Sequence, residues 1–150
     1  MNNEETKKIT LSLIGTFNKA SQVALDLRKT GLIREIKSDN TPVSNGDIAV
    51  NKILTKKIEE ITPNIAIVSE ESARHKTDND LKNFWLIDPI DGTRDYINNR
   101  DEFTLNAALI LEKKPAIGII TAPAKGRVFY SFGLSNSYEL INGTEVSLIN

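Results

Sequence analysis

Between about Glu4 and Thr30, apolar side chains recur at Ile9, Leu13, Phe17, Ala20, Ala24 and Leu27, the spacing of one helix face. Gly31 follows directly and reads as the C-terminal stop. The stretch IREIKSDNTPVSNGD then loses periodicity and carries Asn, Pro, Ser and Gly, so it reads as a loop with a short extended piece at its start. A second helix is expected from about Asp47 to Ile61, with Val50, Leu54, Ile58 and Ile61 on one face and Thr62-Pro63 as its end.

Beyond Pro63 the pattern changes to strands. IAIVS (65–69) and FWLID (84–88) are short apolar runs on either side of a polar loop, Glu70 to Asn83. FTLNAALILE (103–112), PAIGIITAP (115–123), RVFYSF (127–132) and SYELI (137–141) follow at close spacing. Parallel strands need long crossovers, so these predict antiparallel hairpins. INGTEVSLIN ends in what reads as a further strand. Two N-terminal helices packed on a largely antiparallel sheet make an α+β fold, and no repeat or linker divides it.

The chain has 150 residues, enough for one domain with a real core. Its net charge of −1 provides no field for duplex nucleic acid. Cysteine is absent, which rules out disulfides, thiolate metal sites and a cysteine nucleophile. No apolar run approaches the ~20 residues of a membrane span, and MNNEETKKITLSLIG lacks a signal peptide's apolar core, so a cytoplasmic location is expected.

The chemistry concentrates in WLIDPIDGT. Asp88 is expected at the C-terminal lip of its strand, where Pro89 and Gly92 force a turn, with Asp91 beside it. Two unit charges ~4 Å apart repel by roughly 4 kcal/mol at an effective dielectric of ~20, so a proton, a basic side chain or a cation must offset them. Arg94 is the nearest base, and turn-building or helix-capping aspartates are the simpler explanation of D-P-x-D-G-T alone. IVSEES, however, puts Glu70 and Glu71 at the end of another short strand. If those strands are neighbours, Glu70, Asp88 and Asp91 converge on an oxygen-rich site that suits Mg²⁺ better than Zn²⁺, with the Ile90 carbonyl as a further ligand. Gly92 lets a ligand approach closely, and Thr93 opens a short helix whose first N–H groups suit a phosphate. Metal carboxylates beside a phosphate cradle imply phosphate ester chemistry.

FWLIDPIDGT, with IVSEES and KSDNTPVSNGDIAVNKIL upstream and RDYINNRDEFTLNAALI and GIITAPAKGRVFYS downstream, resembles the lithium-sensitive, Mg²⁺-dependent phosphatases of the inositol monophosphatase superfamily. The likeness covers roughly residues 32 to 132. DGT followed by a basic, an acidic and an aromatic residue, and then E-F-T, is most similar to the 3′(2′),5′-bisphosphate nucleotidases. Those enzymes hydrolyse adenosine 3′,5′-bisphosphate, a by-product of sulfate activation, to AMP and phosphate.

The resemblance implies the first half of a layered α/β/α/β/α sugar-phosphatase fold, so the chain is expected to be an N-terminal metal- and phosphate-binding domain without the C-terminal half. It implies two or more Mg²⁺ ions held by Glu70, Asp88, the Ile90 carbonyl and Asp91, with Li⁺ inhibition. Gly92 and Thr93 would bind the phosphate. Asp47 and Thr93 would orient and deprotonate a metal-activated water, with Glu70 also catalytic and Glu71 assisting from behind. Ser44 stands where the family usually has threonine. A homodimer is plausible by resemblance. Inositol-1-monophosphatase activity and a catalytically inactive Mg²⁺-binding remnant are the alternatives. His75, Lys37, Arg94 and Arg100 read as solvated loop residues, and Trp85, Phe103 and Tyr130 as core.

Overall fold

The computed structural model describes residues 1–71 and 81–149. Helix α1 (Asn3–Thr30) opens on a capping box in which Asn2 and Glu5 exchange side chain-to-backbone hydrogen bonds. Its apolar stripe buries Leu13, Phe17, Ala20 and Ala24 completely, while Ile9 and Leu27 lie at the margin. Gly31 ends it with a φ of 109°. Strands β1 (Arg34–Ile36) and β2 (Pro42–Ser44) then pair antiparallel as a small ribbon, where the sequence suggested a loop with one extended piece. Helix α2 (Asn45–Ile61) starts two residues before its expected position, because Ser44 is its cap.

Strands β3 (Ala66–Ser69), β4 (Phe84–Asp91), β5 (Thr104–Leu111), β6 (Lys114–Ala122), β7 (Arg127–Ser131), β8 (Ser137–Ile141) and β9 (Thr144–Ser147) form a sheet in sequence order among the described residues. Only β3 and β4 run parallel; the other neighbours are antiparallel, giving the expected α+β arrangement. Helices α1 and α2 pack on each other and on β6 and β4. Trp85, Ile87, Leu105, Leu109, Ile117 and Ile119 point into that layer and are essentially inaccessible. Trp85 also donates its indole N–H to Thr62 Oγ1 at 3.0 Å, which satisfies its one polar atom inside the core. Phe103 and Tyr130 are core residues too, at 2% and 3% exposure. Among the described residues, no helix is long and apolar enough to cross a membrane.

One expectation about β4 is corrected. The strand does not end at Asp88; it continues through Pro89 to Asp91. Asp88 faces Asn106 and Asp91 faces Thr104, so three steps on β4 match two on β5. That extra residue is a β-bulge, a place where the ladder is already interrupted and proline's missing N–H does no harm. Short helix α3 (Thr93–Ile97) follows immediately.

Leu54 is inaccessible at the centre of α2's buried face. Leu54→Ala is therefore expected to lower unfolding stability by about 2–5 kcal/mol. Leu134→Ala, at a fully exposed position, should change it by less than ~0.5 kcal/mol. Urea titrations of the two variants beside the wild type check both.

Candidate active site

Strand side chains alternate, so residues three apart ordinarily face opposite ways. The bulge overrides this: Asp88 and Asp91 share the sheet face opposite the helices, with Asn106 and Thr104 beside them, while Ile87 and Ile90 remain in the core. Because β3 lies parallel to β4, the chain leaving β3 reaches the same rim, and Glu70 N–H donates to the Ile87 carbonyl at 3.2 Å. Glu70 and Asp91 are therefore charged neighbours of Asp88 at this rim.

The electrostatics at the rim are unbalanced. The Asp88 carboxyl is pushed up from 3.8 to about 7, first by burial and then by the charge and hydrogen-bonding proximity of Glu70, with Asp91 and Asp47 adding to the effect. Its Oδ1 is buried and has no hydrogen-bond partner among the described residues. Lys37, reaching in from the ribbon, lies 3.3 Å from Glu71 and 3.9 Å from Glu70. Glu71 is nonetheless raised in pKa, because burial outweighs the attraction of Lys37. Among the described residues, no three acidic or histidine side chains are gathered closely enough to enclose an ion unaided. The donor set still fits a hard cation: it is all oxygen, rich in negative charge, and has one buried oxygen unpartnered.

The second half of the site is a fixed hydroxyl–carboxylate pair. Ser44 and Asp47 form the capping box of α2: Asp47 Oδ2 accepts from Ser44 N–H at 2.9 Å and from Ser44 Oγ at 2.5 Å. The other oxygen, Oδ1, accepts from the Thr93 hydroxyl at 2.8 Å. Thr93 Oγ1 also lies 3.1 Å from the Ile90 carbonyl, so Ile90 meets the site through its backbone while its side chain stays in the core. Gly92 precedes Thr93 in the left-handed region, φ 88°, and a Cβ there would lie 2.7 Å from the Glu102 carbonyl oxygen. Tyr96 closes the site from beneath, its phenol pushed up to about 12, first by burial and then by the nearby Asp47 charge.

The remaining basic residues separate as follows. Arg100 pairs with Asp95 at 3.3 Å, Arg94 is exposed, and Lys37 is held by the glutamates rather than left in solvent as expected. His75 lies outside the described residues. Two contributors went unread in the sequence. Ser44 carried a signal, since Ser-x-x-Asp ahead of an apolar run is a capping-box pattern. Lys37 carried none, because its partners are more than thirty positions away.

Together these features make an acidic rim beside a carboxylate-held threonine. The family model for the inositol monophosphatase family matches residues 5–144, and the chain belongs to that family. The 3′(2′),5′-bisphosphate nucleotidase CysQ of Haemophilus influenzae is 39% identical over 100 residues, a match covering 65% of this chain and 37% of the relative. The chain thus spans well under half of that relative's length. Two solved structures share the fold. The extragenic suppressor protein suhB from Bartonella henselae has a TM-score of 0.75 at 22% identity, covering 85% of this chain and 50% of that one. CysQ from Bacteroides thetaiotaomicron has a TM-score of 0.65 at 24% identity, covering 93% and 49%.

A carboxyl whose folded pKa is about 7, against an ordinary 3.8, contributes stability below about pH 4 that is lost as pH rises through 7. In chelator, the melting temperature should therefore fall across that window. Asp88→Asn, which cannot ionise, should melt higher than the wild type at pH 8, by a few degrees if the relief is ~1 kcal/mol. Added Mg²⁺ should reverse the order by raising the wild type alone. Identical melting curves for the two proteins at pH 8 would refute the charge imbalance.

Proposed function

We propose that this chain provides the N-terminal metal- and phosphate-binding unit of a Mg²⁺-dependent phosphomonoesterase. The substrate favoured is adenosine 3′,5′-bisphosphate, cleaved to AMP and phosphate. The observation that carries this reading is the Thr93–Asp47 hydrogen bond set beside Glu70, Asp88 and Asp91, residues delivered by three separate segments. Membership of the inositol monophosphatase family and the likeness to the Haemophilus nucleotidase support it.

In this reading Glu70, Asp88, Asp91 and the Ile90 carbonyl hold Mg²⁺. When bound, the ion supplies charge neutralisation at the phosphoryl group and polarises water. The chain's own residues do the rest. Asp47 accepts the Thr93 proton, which frees Thr93 Oγ1 to take a proton from the attacking water and aim its oxygen at phosphorus. The backbone at Gly92 and Thr93 approaches the phosphate without side-chain obstruction. As the phosphorus–oxygen bond breaks, the departing 3′-oxygen is protonated from solvent. Ser44 holds Asp47 in the one orientation that meets Thr93.

Phosphate release from adenosine 3′,5′-bisphosphate, with and without Mg²⁺, tests the proposal. Release should require Mg²⁺, be inhibited by Li⁺, and exceed release from inositol 1-phosphate. Asp91→Asn should reduce it by at least 100-fold and weaken Mg²⁺ binding while leaving helix content intact. A second reading is a non-catalytic unit in which the acidic rim binds Mg²⁺ without phosphoester chemistry. Mg²⁺ binding by a folded chain with no phosphate release would select that reading over the first.

A further inference from the structure

Gly46 stands in the first turn of α2, between the cap Ser44 and Asp47. Its backbone is helical, unlike the five glycines with positive φ. Glycine is a poorer helix former than alanine, so its own turn does not call for it. Space does. A Cβ on Gly46 would lie 2.3 Å from the Tyr96 hydroxyl oxygen and 2.6 and 2.7 Å from two ring carbons.

Tyr96 has little freedom to yield. It is fully buried, its hydroxyl donates to the Ala24 carbonyl of α1 at 2.7 Å, and its ring packs against Phe103 at 4.9 Å. Phe103 is covered in turn by the Arg28 guanidinium, 5.2 Å from the ring centre, while Arg28 also holds Asp101 at 3.0 Å. Tyr96 is thus fixed to α1 and to the segment after α3.

Two contacts therefore run side by side between the same two helices. Tyr96 meets Gly46, and three residues earlier on α3 Thr93 meets the residue after Gly46, Asp47. The geometry points to Tyr96 as a positioning residue: its fit against Gly46 sets how deeply α3 docks on α2, and so sets the Thr93–Asp47 hydrogen bond. This rests on the phosphatase reading for its kinetic consequence, though not for its structural one.

Gly46→Ala, Tyr96→Phe and the double variant test it. Misplacement of a reacting pair by ~1 Å can cost ~100-fold in rate. Gly46→Ala should therefore lower kcat roughly 10- to 100-fold, with KM and Mg²⁺ affinity changed less than ~3-fold, and shift the Thr93 methyl resonance. Tyr96→Phe frees the ring from Ala24 and lets it retreat. The double variant should then recover at least fivefold of the lost kcat and return the Thr93 resonance toward the wild type. A double variant worse than either single one, or a Gly46→Ala protein with wild-type kcat and Thr93 resonance, would overturn the inference. If Gly46→Ala alone does not fold, a folded double variant supports the pairing and an unfolded one refutes it. If the wild type releases no phosphate, the functional proposal fails, and the Thr93 resonance still decides this one.

Discussion

The structure depends on one extra residue in β4. Alternation along a strand would put Asp88 and Asp91 on opposite faces, one of them in the core. The bulge lets Trp85, Ile87 and Ile90 fill the interior while both aspartates reach the same outer face. It also brings the chain to Gly92 in a left-handed turn, from which α3 starts at Thr93. Concentrating acids there is unfavourable by itself, so the packed layer of α1, α2 and the sheet must supply the stability that the rim gives up.

The two halves of the site solve opposite problems. Asp47 is 1% exposed, yet three hydrogen bonds reach its carboxylate and fix its position. Asp88 is partly buried and, among the described residues, its Oδ1 has no such donor, and its proton affinity is raised. A saturated carboxylate suits a group that must hold an orientation, whereas an unsatisfied one suits a group whose missing partner arrives from outside. The same fold builds both because Asp47 caps a helix while Asp88 lies on an interrupted ladder.

The legibility of these features followed the range of the interactions behind them. Apolar stripes such as Leu13–Phe17–Ala24 and Val50–Leu54–Ile58 marked both long helices, because burial on one face leaves a periodic trace. The ribbon of β1 and β2 left almost none, since Arg34–Ile36 is exposed at every residue. Pro89 read as the end of β4 because proline interrupts strands; only the pairing with Asn106 and Thr104 reveals the continuation. The acids themselves were visible as residues at the ends of apolar runs. Lys37 and the Gly46–Tyr96 fit were not, for each joins segments far apart in the chain.

Lys37 determines what the rim still lacks. Its ammonium is shared between Glu70 and Glu71, and burial still leaves Glu71 with a raised pKa. Among the described residues, one positive charge faces two carboxylates at that end, while the groups acting on Asp88 are like-charged. A second ammonium would bring a single charge on a long stem that must lose rotamer freedom to be held there. A small divalent ion brings twice the charge at ~2.0–2.1 Å from oxygen, with no side chain to order. The geometry also explains why Lys37 does not close the site: it is tethered to the ribbon and engaged with Glu71, on the Glu70 side. Among the described residues the excess negative charge thus remains at the bulge, next to Thr93.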